Sequence, residues 1–271
     1  MRAGVVISDL HIGSYMGLCP ERATLALGAK YTPNKYQATL TDYWDHFWGK
    51  VIPKLTKKAK RIDLFINGDL IDGVHHDSTA IISNSWGTQE DIAFQVLDPI
   101  RGKVDALYVI RGTEAHGGPM CESEEKIATR LGAEKTDLGE YSSYQWWVEM
   151  EGVPMNFAHH IGVTSSTAYE SSAPMRELVT TLVEAAQWDQ PIPQVVWRSH
   201  RHRFIEVPLP TSWGRIRCII TPAWQLRSPH TERIDRMRMP HIGGVIFTVE
   251  DGICNIHEKI YPLPGPAIRK I

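Results

Sequence analysis

The sequence has few cysteines, almost no net charge and no long apolar run. Its four cysteines, Cys19, Cys121, Cys218 and Cys254, are scattered over 271 residues, without the close pairing of a zinc motif or the density of a disulfide scaffold, so we expect reduced thiols. A formal net charge of -2, from 29 basic and 31 acidic residues, gives no global reason for tight nonspecific binding to a polyanion.

The missing apolar runs also bear on location. No stretch approaches the roughly 18 uninterrupted apolar residues that a membrane-spanning helix needs. The apolar run before Asp9 is too short for the core of a signal peptide. We therefore expect a soluble, cytoplasmic protein with no membrane partner.

Short apolar runs that end in polar clusters recur in the first half of the chain. Ala3–Ile7, Ile62–Ile66 and Ala106–Ile110 have the composition of buried strands. Helical patterns separate them, at residues 36–55 and at Thr88–Ile100. Such β-α-β alternation favours a parallel sheet with helices outside, and ligands in such sheets gather at the carboxyl ends of the strands.

The second half is rich in strands. A hairpin is predicted at residues 144–158 and a helix at residues 175–187. Further strands are predicted at 195–197, 204–207, 216–221, 245–250 and 253–261. This pattern indicates two packed sheets. We expect a single domain over residues 1–271, with insertions near 13–35 and 73–98 lining a cleft.

Carboxylates and imidazoles stand at several of these strand ends. Asp9 and His11 are two residues apart, so in extended chain they project to one side. Gly68-Asp69-x-x-Asp72 follows the second strand, and His200-x-His202 follows the run at 195–197. Each alone could be a turn or a helix cap. Together they form a mixed oxygen and nitrogen donor set, which suits manganese, iron, zinc or related ions without selecting one.

The ordered set resembles the calcineurin-like metallophosphoesterase family. That family's pattern is Asp-x-His, Gly-Asp-x-x-Asp, Gly-Asn-His-Asp/Glu, a later His and Gly-His-x-His, and four of its five elements have counterparts here over most of the chain. The resemblance implies an α/β fold of two packed mixed β-sheets flanked by helices, a four-layer αββα sandwich. It also implies two divalent metal ions per chain, with manganese favoured and iron, zinc, nickel or magnesium as alternatives.

Carried over by position, the resemblance gives most ligands a role. Asp9, His11 and His202 would bind one metal, Asp69 would bridge both and His200 would bind the second. Asp72 would orient a ligand such as a histidine ring without touching metal.

The third element departs from the family pattern, since Gly112-Thr113-Glu114-Ala115-His116 replaces Gly-Asn-His-Asp/Glu. Glu114 is the candidate second-metal ligand, or alternatively a group one shell further out, and His116 is the candidate proton donor to the leaving group. A charged ligand would reduce the attraction for a phosphate dianion, which favours phosphodiesters over monoesters. Arg111 could offset that charge and is a candidate substrate-binding residue.

The fourth element offers two adjacent histidines, His159 and His160. Successive strand side chains face opposite ways, so one of them should face the metals, and His160 is preferred because Phe157 and His160 bracket a turn. His75 and His76 could line the cleft and recognise phosphate, or could be an exposed loop pair.

The function implied is metal-dependent hydrolysis of phosphoester bonds by a hydroxide that bridges two cations, with phosphodiesters preferred. The alternatives are a nuclease acting on DNA or RNA and a noncatalytic metal-binding scaffold of the same fold. The expected partner is thus a phosphoester substrate, which could be a nucleic acid. The natural substrate and the oligomeric state stay open.

Overall fold

The computed structural model describes residues 1–75, 78–164, 166–234, 238–265 and 269. The strands are β1 (Arg2–Ile7), β2 (Ala23–Thr24), β3 (Lys30–Tyr31), β4 (Ile62–Asn67), β5 (Ala106–Ile110), β6 (Ser142–Ser143), β7 (Gln145–Met150), β8 (Val153–Ala158), β9 (Val195–Arg198), β10 (Ile205–Thr211), β11 (Gly214–Ile220), β12 (Ile242–Glu250) and β13 (Ile253–Tyr261). The helices are α1 (Lys35–His46), α2 (Ile52–Thr56), α3 (Trp86–Arg101), α4 (Glu114–Gly117), α5 (Glu122–Leu131), α6 (Ser172–Trp188) and α7 (Pro229–Ile234).

Two mixed sheets form the centre of the fold. The first has the strand order β13-β12-β1-β4-β5-β6, in which β1, β4, β5 and β6 run parallel. The second has the order β10-β11-β9-β8-β7, with β8, β9 and β11 parallel. In the first sheet the β12-β13 hairpin forms one edge and the short parallel strand β6 forms the other, while β1, β4 and β5 lie inside, where both faces can be covered.

Three groups of apolar side chains separate the layers. Phe65 and Phe247 of the first sheet meet Phe157 and Trp197 of the second in one core. A second core lies between the first sheet and the helices α1, α3 and α5, and a third lies under α6 on the outer face of the second sheet. The predicted fold class, two packed mixed sheets flanked by helices, is confirmed.

The long helix predicted at residues 36–55 is divided. A capping box at Asn34 starts α1, but one wide π-helical turn at Phe47–Val51 separates α1 from α2. Pro53 follows this turn and has no backbone N–H for a regular helical hydrogen bond. Helix α5 was not predicted at all. No helix among the described residues is long and apolar enough to cross a membrane.

Candidate metal centre

The parallel strands β1, β4 and β5 end together at one edge of the first sheet. Ile7 pairs with Ile66 in the parallel register, so the residues that follow β1 and β4 become neighbours. Beyond the strands the contact continues, because the N–H of Asp9 donates to the carbonyl of Gly68 at 3.0 Å and the N–H of His11 to that of Asp69 at 3.1 Å. The first two motifs are therefore held side by side by backbone hydrogen bonds.

A left-handed backbone conformation is shared by five of the candidate ligands. The φ angles are 50° at Asp9, 42° at His11, 52° at Asp69, 70° at His200 and 53° at His202. Residues with side chains adopt positive φ rarely, and Asp and His tolerate it better than most. Such strained backbone collects at functional sites, where the surrounding structure holds it in place.

The first donor group consists of Asp9, His11 and His202. The Nε2 of His202 lies 3.3 Å from Oδ1 of Asp9, and the Nε2 atoms of His11 and His202 are 3.2 Å apart. These atoms converge on one point from the ends of two sheets, which is the arrangement that a divalent cation requires of a carboxylate and two imidazoles.

The second donor group consists of Asp69, His159 and His200. The Nε2 of His159 lies 3.1 Å from Oδ2 of Asp69 and 3.9 Å from Oδ1 of Asp9, so the two groups adjoin. Asp69 also groups with His11 and His116, which places it between the two sets. Within the described residues, Oδ1 of Asp9 and Nε2 of His159 are buried without a hydrogen-bond partner. These donors fit two divalent cations.

Groups behind the ligands fix their orientation. Oδ1 of Asp72 lies 3.1 Å from Nδ1 of His11, and Nδ1 of His159 donates to the carbonyl of Asn67 at 2.6 Å. Because a carbonyl only accepts, the proton of His159 is held on Nδ1 and Nε2 is left to face Asp69. Gln225 donates to Oδ1 of Asp72 at 3.2 Å and restrains that carboxylate.

The electrostatics of the centre reflect its burial and its mixed charges. Burial by itself would raise the pKa of Asp9, but His202 and His159 outweigh it and lower that pKa to about 2. Burial would lower the pKa of His159, and the Asp69 carboxylate raises it to about 10 instead. Burial lowers the pKa of His200 to about 4, with His159 adding to the effect. A divalent cation at the second group would compete with a proton for Nε2 of His159.

The structure brings His159, rather than the preferred His160, to the second group. The residues that alternate on β8, such as Met155 and Phe157, face the core between the sheets, and His159 continues on that face. His159 is buried, whereas His160 is exposed with its ring centroid 4.6 Å from that of His200. The preference for His160 assumed a turn directly after β8. The alternation of side chains instead continues past Ala158, the last residue of the strand, and turns His159 inward.

Glu114 and Arg111 are not brought to the donor groups of the described residues. Glu114 is exposed, and its Oε1 accepts a hydrogen bond from the N–H of Met120 at 3.2 Å. Arg111 is buried away from the cleft, where its Nη2 lies 3.3 Å from Glu140 and 3.5 Å from Glu125. The geometry ties Arg111 to surface carboxylates and not to a substrate.

The variant third motif instead contacts the carboxylate of Asp69 through Thr113. Both the backbone N–H and the hydroxyl of Thr113 donate to Oδ1 of Asp69, at 2.7 and 3.0 Å. His116 lies close by, and its Nδ1 donates to the carbonyl of Asp72 at 2.7 Å. His75 stacks edge-on against His116, with ring centroids 4.4 Å apart, while His76 lies outside the described residues.

The donor groups open into a cleft of about 620 Å³. His75, Ser78, Thr79 and Ala80 line it from the predicted insertion at 73–98, and Ser14 lines it from that at 13–35. A third wall was not predicted. It comes from the segment after β11, where Gln225, Ser228, Pro229, Thr231 and Arg233 line the cleft; the proline and polar residues there gave no periodic signal.

Glu124 is a buried carboxyl beside the centre that the sequence analysis missed. It is fully buried on α5, and neither oxygen has a hydrogen-bond partner among the described residues. Burial, reinforced by the charge of Asp69, raises its pKa to about 8. The spacing of Glu124, Ile127, Ala128 and Leu131 on one helical face was a signal that could have revealed α5.

Replacing Glu124 with Gln should change how stability depends on pH. Between its ordinary pKa of 4.5 and the raised value of about 8, the native state binds more protons than the unfolded chain. The stability that protonated Glu124 contributes to the wild type is thus fully present below pH 4.5, and it is lost as the pH rises through about 8. In chelated protein, the urea midpoint of Glu124→Gln should rise relative to wild type over this range.

The exposed Glu122 lies on the same helix, so Glu122→Gln is a matched control whose midpoint should follow the wild type at each pH. A difference between Glu124→Gln and wild type that stays constant from pH 4.5 to 8 would contradict a raised pKa.

Comparison with known proteins gives similarity of structure only. A scan against family models finds no match, and a search of curated proteins finds none either. Among solved structures, zinc-complexed Vps29 from Entamoeba histolytica is 9% identical, with a TM-score of 0.42 and coverage of 96% of this chain and 99% of its own.

An archaeal phosphodiesterase is 9% identical, with a TM-score of 0.43 and coverage of 95% and 100%. A metallophosphoesterase from Sphaerobacter thermophilus is 10% identical, with a TM-score of 0.40 and coverage of 96% and 90%. At these values the matches carry no argument about activity. In the order of its motifs, in its two mixed sheets and in the gathering of its ligand residues at strand ends, the chain resembles the calcineurin-like metallophosphoesterases.

Proposed function

We propose that this chain is a metallophosphoesterase that uses two divalent cations. The observation that carries the proposal is the pair of adjoining donor groups, Asp9, His11 and His202 beside Asp69, His159 and His200. When bound, such cations activate a water nucleophile and stabilise charge on phosphoryl oxygens. Manganese is the proposed ion, with iron, zinc, nickel or magnesium as alternatives, because the donors mix oxygen and nitrogen.

The residues of the chain would then divide the remaining work. Asp69 would lie between the ions, oriented by the two hydrogen bonds from Thr113. Asp72 would hold the ring of His11 through Nδ1, which leaves Nε2 free to bind. Residues of two loops, Ser78, Thr79 and Ala80 in one and Gln225, Ser228 and Thr231 in the other, would line the cleft around the substrate.

His116 would transfer a proton to the leaving oxygen. Its Nδ1 is engaged by the carbonyl of Asp72, so the proton would pass through Nε2. Burial, with the nearby His11 adding to it, lowers the pKa of His116 to about 4. A bound phosphate anion would favour the charged imidazole and oppose that shift.

We further propose that phosphodiesters are preferred over monoesters. Three carboxylates, Asp9, Asp69 and Asp72, are buried at the centre. They would offset most of the charge of two divalent cations, which reduces the extra attraction that a dianion has over a monoanion. With manganese-loaded protein, kcat/KM for bis(p-nitrophenyl) phosphate should therefore exceed that for p-nitrophenyl phosphate. Both release the same nitrophenolate, so the comparison holds the leaving group constant. Higher kcat/KM for the monoester would refute the preference, and turnover of neither by loaded protein would count against the enzyme function.

A further inference from the structure

A second cavity, of about 300 Å³, adjoins the metal centre. It shares His200, His202 and Gln225 with the cleft. Its other walls carry four arginines, Arg201, Arg203, Arg227 and Arg238, together with Val163 and Met239. A group in this cavity would thus lie directly beside a phosphate held at the centre.

Glu170 contacts three of these guanidinium groups among the described residues, two through its carboxylate and one through its backbone carbonyl. Its Oε1 lies 2.8 Å from Nε of Arg203 and 3.9 Å from Nε of Arg238. Arg201 is different, since its Nη1 donates to the backbone carbonyl of Glu170 at 3.0 Å. A carbonyl carries no net charge, so this hydrogen bond is not an ion pair.

Arg201 has a further unmet requirement. Its exposed fraction is 8%, and its Nη2 is buried without a hydrogen-bond partner in the part of the chain that the structure describes. A buried, unpaired N–H of a charged group is costly, and an anion or ordered water normally satisfies it.

We propose that this arginine cavity, defined by Arg201, Arg203 and Arg238, is a subsite for a second phosphate group of the substrate. Guanidinium groups bind phosphate oxygens through paired, charge-assisted hydrogen bonds. The inference rests on the proposed function, because that function places the phosphoester that is cleaved next to this cavity. It narrows the substrate to molecules that carry a phosphate next to the phosphoester that is cleaved.

Binding of inorganic phosphate to the full chain, dialysed against chelator and checked by circular dichroism, tests the subsite without relying on catalysis. Without cations, the carboxylates of the centre repel phosphate, so the arginine cavity should account for the binding measured by calorimetry. Arg201→Gln and Arg238→Gln should each weaken it at least about tenfold. Arg215→Gln is the matched control, because Arg215 is exposed on β11 and lines a different cavity.

Wild-type binding that falls in both cavity variants and persists in Arg215→Gln would support the subsite. No binding by wild type, or equal binding by all four proteins, would overturn it. Because Arg201 stands between two candidate ligands, Arg238→Gln is the decisive variant if Arg201→Gln does not fold.

Two substrates distinguish the sources of a second phosphate. Thymidine 5′-(p-nitrophenyl phosphate) with a 3′-phosphate has the spacing of a nucleic-acid backbone, and the p-nitrophenyl ester of thymidine 5′-diphosphate has that of a phosphoanhydride. For one of them, kcat/KM should be higher than for the same substrate without the extra phosphate. Arg238→Gln should abolish this difference. If loaded protein turns over none of them, the proposed function fails, while the phosphate titration still decides the subsite.

Discussion

Asp69→Asn should lower metal content and turnover together, with kcat falling by more than about a hundredfold. Loss of a group that supports a metal ligand typically lowers metal affinity or activity about 10–100-fold. Asp69 is itself a candidate ligand, lies 3.1 Å from His159 and adjoins both donor groups, so its loss should cost more. The amide keeps the shape of the side chain but removes the charge that favours a cation. Metal analysis by mass spectrometry and turnover of a nitrophenyl diester measure the two effects in one preparation.

Asp63→Asn is the control for this variant. Asp63 is buried on β4, the strand that Asp69 follows, but near the strand's other end, where it pairs with Arg2 and Arg61 at 2.6 and 2.8 Å. Its replacement should lower thermal stability and leave metal content unchanged. Full turnover by Asp69→Asn after verified loss of metal would remove the basis of the two-cation proposal.

His116→Ala should slow substrates with poor leaving groups by about a hundredfold or more, the usual contribution of a positioned general acid. An activated nitrophenyl ester needs little help from a proton donor, so its turnover should change far less. The physical basis is the single free nitrogen, Nε2, that the hydrogen bond from Nδ1 to Asp72 leaves facing the centre. Comparison of kcat for an alkyl and a nitrophenyl ester of the same phosphate measures the difference.

His257→Ala replaces an exposed histidine on β13 and should change neither rate. If His116→Ala loses the same factor on both esters, His116 positions the substrate or another side chain and does not donate the proton. Unchanged metal content in His116→Ala would exclude a role as an essential ligand.

The fold class and the neighbourhood of the first two motifs could be predicted because they depend on local pattern. A buried strand that ends at Asp9 and another that ends at Gly68 must meet if the strands are parallel and adjacent, and β1 and β4 are. The prediction of His160 over His159 failed for the opposite reason. Which of two adjacent side chains faces the core depends on where the strand alternation ends, and no turn residue marks that point.

The third motif shows a second limit of the sequence. Glu114 was selected by charge, but the short helix α4 starts at Glu114 and directs it towards the N–H of Met120. The hydroxyl of Thr113 contacts Asp69 instead. Glu124, ten positions further on, becomes relevant because α5 packs back against the sheet. That contact is tertiary, and spacing along the chain does not reveal it.

The left-handed backbone at Asp9, His11, Asp69, His200 and His202 bears on how tightly ions can bind. These turns are fixed by hydrogen bonds such as those from Asp9 to Gly68 and from His11 to Asp69, which need no cation. The conformational entropy of shaping the loops is therefore lost during folding and not during ion uptake. Preorganisation of this kind raises affinity, because less of the favourable binding free energy is offset by ordering. Loops held in this way by their own backbone would also keep their shape whichever divalent cation they bind.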